Sequence, residues 1–365
     1  MKKSKIGILT SGGDCAGLNS AIKWMVKTTL DIQERGTHYE VIGIRDGFKG
    51  LSFTDSTPEV LNENTVLLTE KTVRTWDRYG GTYLGTSRFS PYNGKHDVSN
   101  VIINNIGKLG LDALVVIGGD GSMNIANRLS KAGVKIIGIP KTIDNDIMGT
   151  DYCLGFETAV ETITDIVDKL RTTAGSHRRV FVVETMGRSA GWLALRGGES
   201  SGAYIILIPE YDFSLERVNE LIIDGKNTGS RYDIVVVAEG AKPLGGKQIM
   251  RPRKDMYGHE NLGGVGEYLS AEIDKTIGLE SRSITLGHIQ RGGTPCAYDR
   301  RMGRYYGIAA GNLLFRKEFG KMVSYRNGVI TSVPLEEAIG GLKLVDIKTR
   351  YDTGRYNGTR NMIDN

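Results

Sequence analysis

The chain has 365 residues, with 47 Lys and Arg against 42 Asp and Glu and a formal charge of +5. That length exceeds what one compact core usually takes, so two α/β lobes with a cleft between them are expected. The mild charge and the scatter of the basic residues argue against a nucleic-acid partner.

Cys15, Cys153 and Cys296 stand far apart and match no metal-ligand spacing or disulfide framework, which points to a reducing, cytoplasmic setting. After the basic start Met1-Lys2-Lys3 the apolar stretch runs only from Ile6 to Leu9, too short for a signal-peptide core. No apolar run reaches membrane-spanning length, so no membrane association is expected.

In chain order, residues 5–10 read as a strand, 11–17 as a glycine-rich turn and 19–30 as a helix with Ile22, Met25, Val26 and Leu30 on one face. Strands at 39–44, 113–116 and 134–139 follow, giving a doubly wound, mainly parallel sheet. The pattern then restarts. Residues 157–170 are helical, with Val160, Ile163, Ile166, Val167 and Leu170 on one face, and 180–183, 205–208 and 234–237 are strands. This is a second α/β lobe. Residues 241–264, rich in Gly, Pro, Lys and Arg without apolar periodicity, read as a long surface insertion. A helix at 266–277 and a strand at 284–286 come next, and the polar tail from Lys348 is expected to be partly disordered.

The glycine-rich junctions carry the chemistry. Ser11-Gly12-Gly13-Asp14 lies between strand and helix, where backbone N–H groups and a helix N-terminus suit an anion; a tight turn is its plain structural reading. Gly80-Gly81-Thr82-Tyr83-Leu84-Gly85-Thr86-Ser87-Arg88 ends in an arginine able to neutralise a phosphoryl group. Gly118-Gly119-Asp120-Gly121-Ser122 sets a carboxylate at a strand end, where nothing about the turn requires one. There it can hold the magnesium that accompanies phosphates.

Lys141-Thr142-Ile143-Asp144-Asn145-Asp146 follows another apolar strand. Its two aspartates lie two apart, so in an extended segment both point to one side, one as proton acceptor and the other as a support. The second lobe adds Arg179, Met186-Gly187-Arg188, Glu239, Arg282, His288 and Arg291 near strand ends, a set suited to a sugar phosphate.

These motifs, in this order over about residues 5–315, resemble the 6-phosphofructokinase family. The resemblance implies Mg2+-dependent phosphoryl transfer to the 1-hydroxyl of fructose 6-phosphate, giving fructose 1,6-bisphosphate in glycolysis. It implies a donor lobe of residues 1–155 plus about 290–335, and an acceptor lobe of 156–289 plus about 336–365. By the same resemblance Asp144 is the general base, with Thr142, Asp146 and Lys141 beside it, and Asp120 binds magnesium. Gly13, Ser87, Arg88, Gly119, Gly121 and Ser122 line the donor phosphates, and Arg188 stabilises charge on the transferred group. Thr142, Asp144, Arg179, Met186, Gly187, Arg188, Glu239, Arg282, His288 and Arg291 hold fructose 6-phosphate. In the family Arg179 and Arg282 reach into a neighbouring subunit's site, so a homotetramer or at least a homodimer is implied.

The donor divides the motifs. Family members that use ATP have glycine at the position of Gly121, where pyrophosphate users have an aspartate that crowds and repels the α-phosphate. Lys141, by contrast, matches the pyrophosphate users. Gly121 with Lys141 and Trp192 resembles a mixed branch of the family, and the steric constraint favours ATP. Lys23, Lys27 and Arg171 match positions that bind ADP or phosphoenolpyruvate in bacterial ATP enzymes, but residues 227–231 lack the paired lysines expected there, so weak or absent regulation follows. A NAD or lipid kinase is set aside because it lacks the Thr142-Asp144-Asp146 and His288-Arg291 motifs. A non-catalytic regulatory homologue stays as a distant alternative, since such subunits usually lose the base or the metal ligand, whereas Asp120, Asp144 and Arg188 are all present.

Overall fold

Strands rich in Val, Ile and Leu are buried on both faces, as parallel sheets covered by helices require. Ala113–Gly118, Ile136–Pro140, Val180–Thr185 and Asp233–Ala238 are buried at every residue. The computed structural model describes residues 3–33, 38–53, 57–93, 96–254 and 260–363.

The chain divides into two units, Met1–Thr158 with Arg291–Leu342, and Ala159–Gln290 with Lys343–Asn365. The first holds a seven-stranded sheet in the order Val329–Pro334, Lys321–Arg326, Ile136–Pro140, Ala113–Gly118, Lys3–Ser11, His38–Ile44, Thr65–Leu68. The five inner strands are parallel and the two edge strands antiparallel. In register, Ser11 lies opposite Gly118 and Gly118 opposite Pro140, so three strands end level with one another. The second unit holds a four-stranded parallel sheet, Ser281–Thr285, Val180–Thr185, Asp233–Ala238, Ile205–Leu207. Thr185 there pairs with Ala238, and Glu184 with Thr285. Both sheets thus bring several carboxyl ends to one level, which is where open α/β sheets hold ligands.

Three sequence expectations change. The tail is ordered over residues 348–363. Tyr351 and Tyr356 are buried, the Tyr351 hydroxyl donates to Ile206 O at 2.6 Å, and Ser214 N–H donates to the Tyr356 hydroxyl at 2.9 Å. Ile206 N–H also donates to Tyr356 O at 2.7 Å, so the tail covers the edge strand Ile205–Leu207. A polar composition hides this because the anchors are amphipathic tyrosines. The insertion is not all loop: it carries an antiparallel pair, Met250–Lys254 with Glu260–Leu262, while 255–259 lie outside the described residues. The strand read at 284–286 runs instead over Ser281–Thr285, since Ser281, Arg282 and Ser283 are all polar and hide where it starts.

Candidate active site

In the first unit the level strand ends carry three of the four glycine junctions. Helix Asp120–Lys131 starts directly after Gly119, which places the Asp120 carboxylate in its first turn, the favourable end of the dipole. Gly118 is demanded by packing: a Cβ there would lie 2.3 Å from Ser122 Cβ. Gly121 is not. A Cβ built at Gly121 would meet nothing within 4 Å, and the residue is exposed. Ser122 is buried beneath it.

The Ser11–Asp14 loop is held through its carbonyls. Lys141 Nζ donates to Ser11 O at 3.1 Å and also to Gly13 O, Thr86 Oγ1 donates to Gly12 O at 2.8 Å, and Arg291 Nη1 donates to Asp14 O at 3.2 Å. Gly12 N–H donates to Ser87 O at 2.9 Å, which ties this loop to the one ending in Arg88. The Ser87 hydroxyl itself donates to Asp46 O at 2.7 Å. Arg291 is packed into the space a side chain at Gly13 would fill, Nη1 lying 2.6 Å from a Cβ built there. It belongs with the strand-end loops of the first unit, whereas His288 is an exposed residue of the second. Arg88 is exposed at the end of its loop.

Lys141 is 2% exposed, and burial pulls its ammonium below the ordinary lysine range. Cys15 beside it is pushed up to about 12 by burial, which makes it an inert thiol at neutral pH. Cys15, Cys153 and Cys296 are all buried, with free thiols.

The aspartate pair differs from the extended segment expected. Residues 143–144 form a turn and Asn145 takes a left-handed φ of 52°, fixed by Nδ2 on Asp151 O at 3.2 Å and by Cys153 N–H on Oδ1 at 2.9 Å. The alternation argument for Asp144 and Asp146 therefore does not hold, because it requires extended backbone. Thr142 Oγ1 accepts from Asp144 N–H at 3.1 Å, which sets the Asp144 backbone. Asp144 is 6% exposed, and its Oδ1 is buried without a hydrogen-bond partner among the described residues. A buried carboxylate oxygen left unpaired is costly unless something else supplies its proton or ligand. Asp146 is buried but engaged.

In the second unit Met186–Ala190 is a tight turn after Val180–Thr185. Gly187 has φ 137° and Arg188 φ 53°, with Arg188 exposed. Glu239, one residue past its strand, accepts Arg188 N–H at 3.1 Å and holds that strained residue. Glu210 accepts Gly191 N–H at 2.9 Å and Val345 N–H at 2.9 Å; burial raises its carboxyl. Arg179 Nε and Arg282 Nη2 both contact the Glu280 carboxylate, at 2.6 and 2.5 Å. Thr86, Asn145 and Glu210 were not singled out in the sequence; a Thr within a glycine loop was the one signal available.

The family model for phosphofructokinase matches residues 5–314. The chain belongs to the phosphofructokinase family. A pyrophosphate–fructose 6-phosphate 1-phosphotransferase of Streptomyces coelicolor is 44% identical over 97% of this chain and 100% of its own. An ATP-dependent 6-phosphofructokinase of Chloroflexus aurantiacus is also 44% identical, over 94% of this chain and 93% of its own. A solved pyrophosphate-dependent phosphofructokinase from Marinobacter aquaeolei shares the fold, with a TM-score of 0.81 at 21% identity over 98% of this chain and 89% of that one. Relatives with both donors thus stand equally near this phosphofructokinase, and its donor has to be argued from its own residues.

A single carboxylate at a strand end fits magnesium, which takes one or two protein carboxylates and fills its remaining positions with phosphate oxygens and water. Asp120 is that carboxylate, and among the described residues no group of three or more His, Cys, Asp or Glu is gathered to enclose a metal.

Proposed function

We propose that this phosphofructokinase transfers the terminal phosphoryl group of ATP to the 1-hydroxyl of fructose 6-phosphate, in the cytoplasm, as a homotetramer or homodimer. The donor choice rests on Gly121. Neither packing nor backbone angle requires glycine there, since a Cβ meets nothing within 4 Å and the residue lies in the first turn of a helix. The open space sits at the helix N-terminus where phosphates bind, and the absence of a side chain leaves room for the α-phosphate of a nucleotide.

Asp144 takes the proton of the sugar hydroxyl as the hydroxyl attacks; its buried, unpaired Oδ1 supports that role. Asp120 would hold magnesium, which supplies charge neutralisation on the donor phosphates. Phosphoryl transfer passes through a loose transition state with charge spread over the equatorial oxygens, so positioning and cations do most of the work. Arg88 and Arg188 supply cations, and N–H groups of the Gly13 loop with Ser122 orient the donor. The sugar phosphate is held by Arg179, Met186, Gly187, Glu239, Arg282 and His288, with Thr142 and Asp146 around the base, while Arg291, bonded to Asp14 O, supports the Ser11–Asp14 loop instead.

Assay of purified protein with each donor tests the reading: turnover with ATP is expected, and turnover with pyrophosphate alone would overturn it. Gly121→Asp brings a like charge to the phosphates and should lower kcat/KM for ATP about a hundredfold. Because the side chain has space, Tm should stay within about 2 °C of the parent.

A further inference from the structure

Lys141 occupies the position that matches pyrophosphate users, yet its ammonium is spent inside the protein. It is 2% exposed, and two of its three donors go to Ser11 O and Gly13 O. Thr86 and Arg291 take Gly12 O and Asp14 O, so every carbonyl from Ser11 to Asp14 is held by a side chain from elsewhere in the same unit. A trans peptide is planar, with its N–H opposite its C=O. Holding the carbonyls of Gly12, Gly13 and Asp14 therefore also fixes the N–H groups of Gly13, Asp14 and Cys15, each directed away from the carbonyl of its own peptide. A loop rich in glycine has many conformations, and fixing one of them in advance is what preorganisation for an anion requires.

We infer that Lys141 is a positioning residue: it clamps the Ser11 and Gly13 carbonyls so that the loop N–H groups face the donor, serving ATP or pyrophosphate alike rather than choosing between them. This rests on reading that loop as the donor-phosphate cradle. Lys141 contributes through the loop and makes no donor contact of its own. The lysine can then accompany Gly121 without contradiction, because the two residues act on different properties of the site.

Three variants test the clamp. Lys141→Met keeps the bulk and removes the donors, Lys141→Gln keeps N–H donors without charge, and Thr86→Val removes a different carbonyl partner. The first readout is hydrogen exchange of residues 11–17 in the free protein, which needs no donor. Thr86→Val, which loses one hydrogen bond, should speed it about tenfold, and Lys141→Met, which loses two, by more than that, with Lys141→Gln between the parent and Lys141→Met. The second readout is steady-state kinetics. The donor KM should rise about tenfold in Lys141→Met and in Thr86→Val, while the fructose 6-phosphate KM stays within about twofold.

Unchanged exchange in Lys141→Met, with a donor KM as high in Lys141→Gln as in Met, would make Lys141 a charge that binds the donor directly and overturn the inference. If Lys141→Met does not fold, unchanged exchange in both Lys141→Gln and Thr86→Val overturns it equally. Should pyrophosphate prove to be the donor, the exchange result still stands, so the two readings fail separately.

Discussion

Asp144 combines two properties that a surface carboxylate lacks: it is 6% exposed, and its Oδ1 has no hydrogen-bond partner among the described residues. With Asp144 as the base, removing its negative charge should stop proton transfer while leaving the shape intact. Asp144→Asn is expected to lower kcat about a thousandfold with the fructose 6-phosphate KM within about threefold, measured in steady-state assays. Unchanged turnover would remove Asp144 from the reaction. At this scale the motifs made the residue types legible. Asp120 announced itself because nothing about its turn requires a carboxylate, and Asp144 because its aspartate-rich segment follows a buried strand. Their surroundings were not legible. The left-handed Asn145 is fixed by Asp151 and Cys153, six and eight residues on, and Arg291 reaches Asp14 across 277 positions of sequence. Contacts of such separation leave no period in a sequence.

Among the elements, the pair that carries the donor loop shows how small residues do structural work. Helix Leu18–Gln33 follows that loop, and helix Ala297–Arg316 lies against it through Gly303, Gly307 and Gly311. A Cβ at Gly307 would sit 2.5 Å from Ala21 O and 2.8 Å from Met25 N, backbone atoms that cannot turn aside. Spaced four apart, the three glycines share one helix face and let the axes approach closely. Gly307→Ala should therefore lower stability by about 1–3 kcal/mol, read as a fall in Tm and in the denaturant midpoint. Gly107, in helix Ser99–Lys108 with nothing within 4 Å of a built Cβ, is the control: Gly107→Ala should gain about 0.5–1 kcal/mol. Equal effects at the two positions would show that helix propensity, and not close approach, governs Gly307. The central strands were legible for the opposite reason. Their residues are apolar throughout, as in Ala113–Gly118, whereas the strand Ser281–Thr285 and the tyrosine-anchored tail mix polar residues with their contacts.

For the molecule as a whole, the open matter is whether one chain carries a complete site. Arg179 and Arg282 converge on Glu280 beside the strand Ser281–Thr285, which is the edge of its sheet. Arg179 and its hydrogen bond hold the Glu280 carboxyl below its ordinary range. Two guanidiniums on one carboxylate leave one positive charge uncompensated, and Arg282 is exposed. A cation presented at a sheet edge suits the phosphate of a sugar bound by another copy, the arrangement a closed homo-oligomer makes reciprocal. The consequence is separable from fold and from chemistry. Asp144→Asn lacks the base and Arg282→Ala lacks the donated cation, so each homo-oligomer should be nearly inactive. When the two are co-expressed, random assortment pairs an intact Asp144 with an intact Arg282 from a different subunit in about a quarter of the sites. Activity near a quarter of the parent is expected from the mixture, measured beside the same variants purified separately and combined without subunit exchange, which should stay inactive. If each chain built its own site, a mixture could never reunite the two residues, and co-expression would recover nothing.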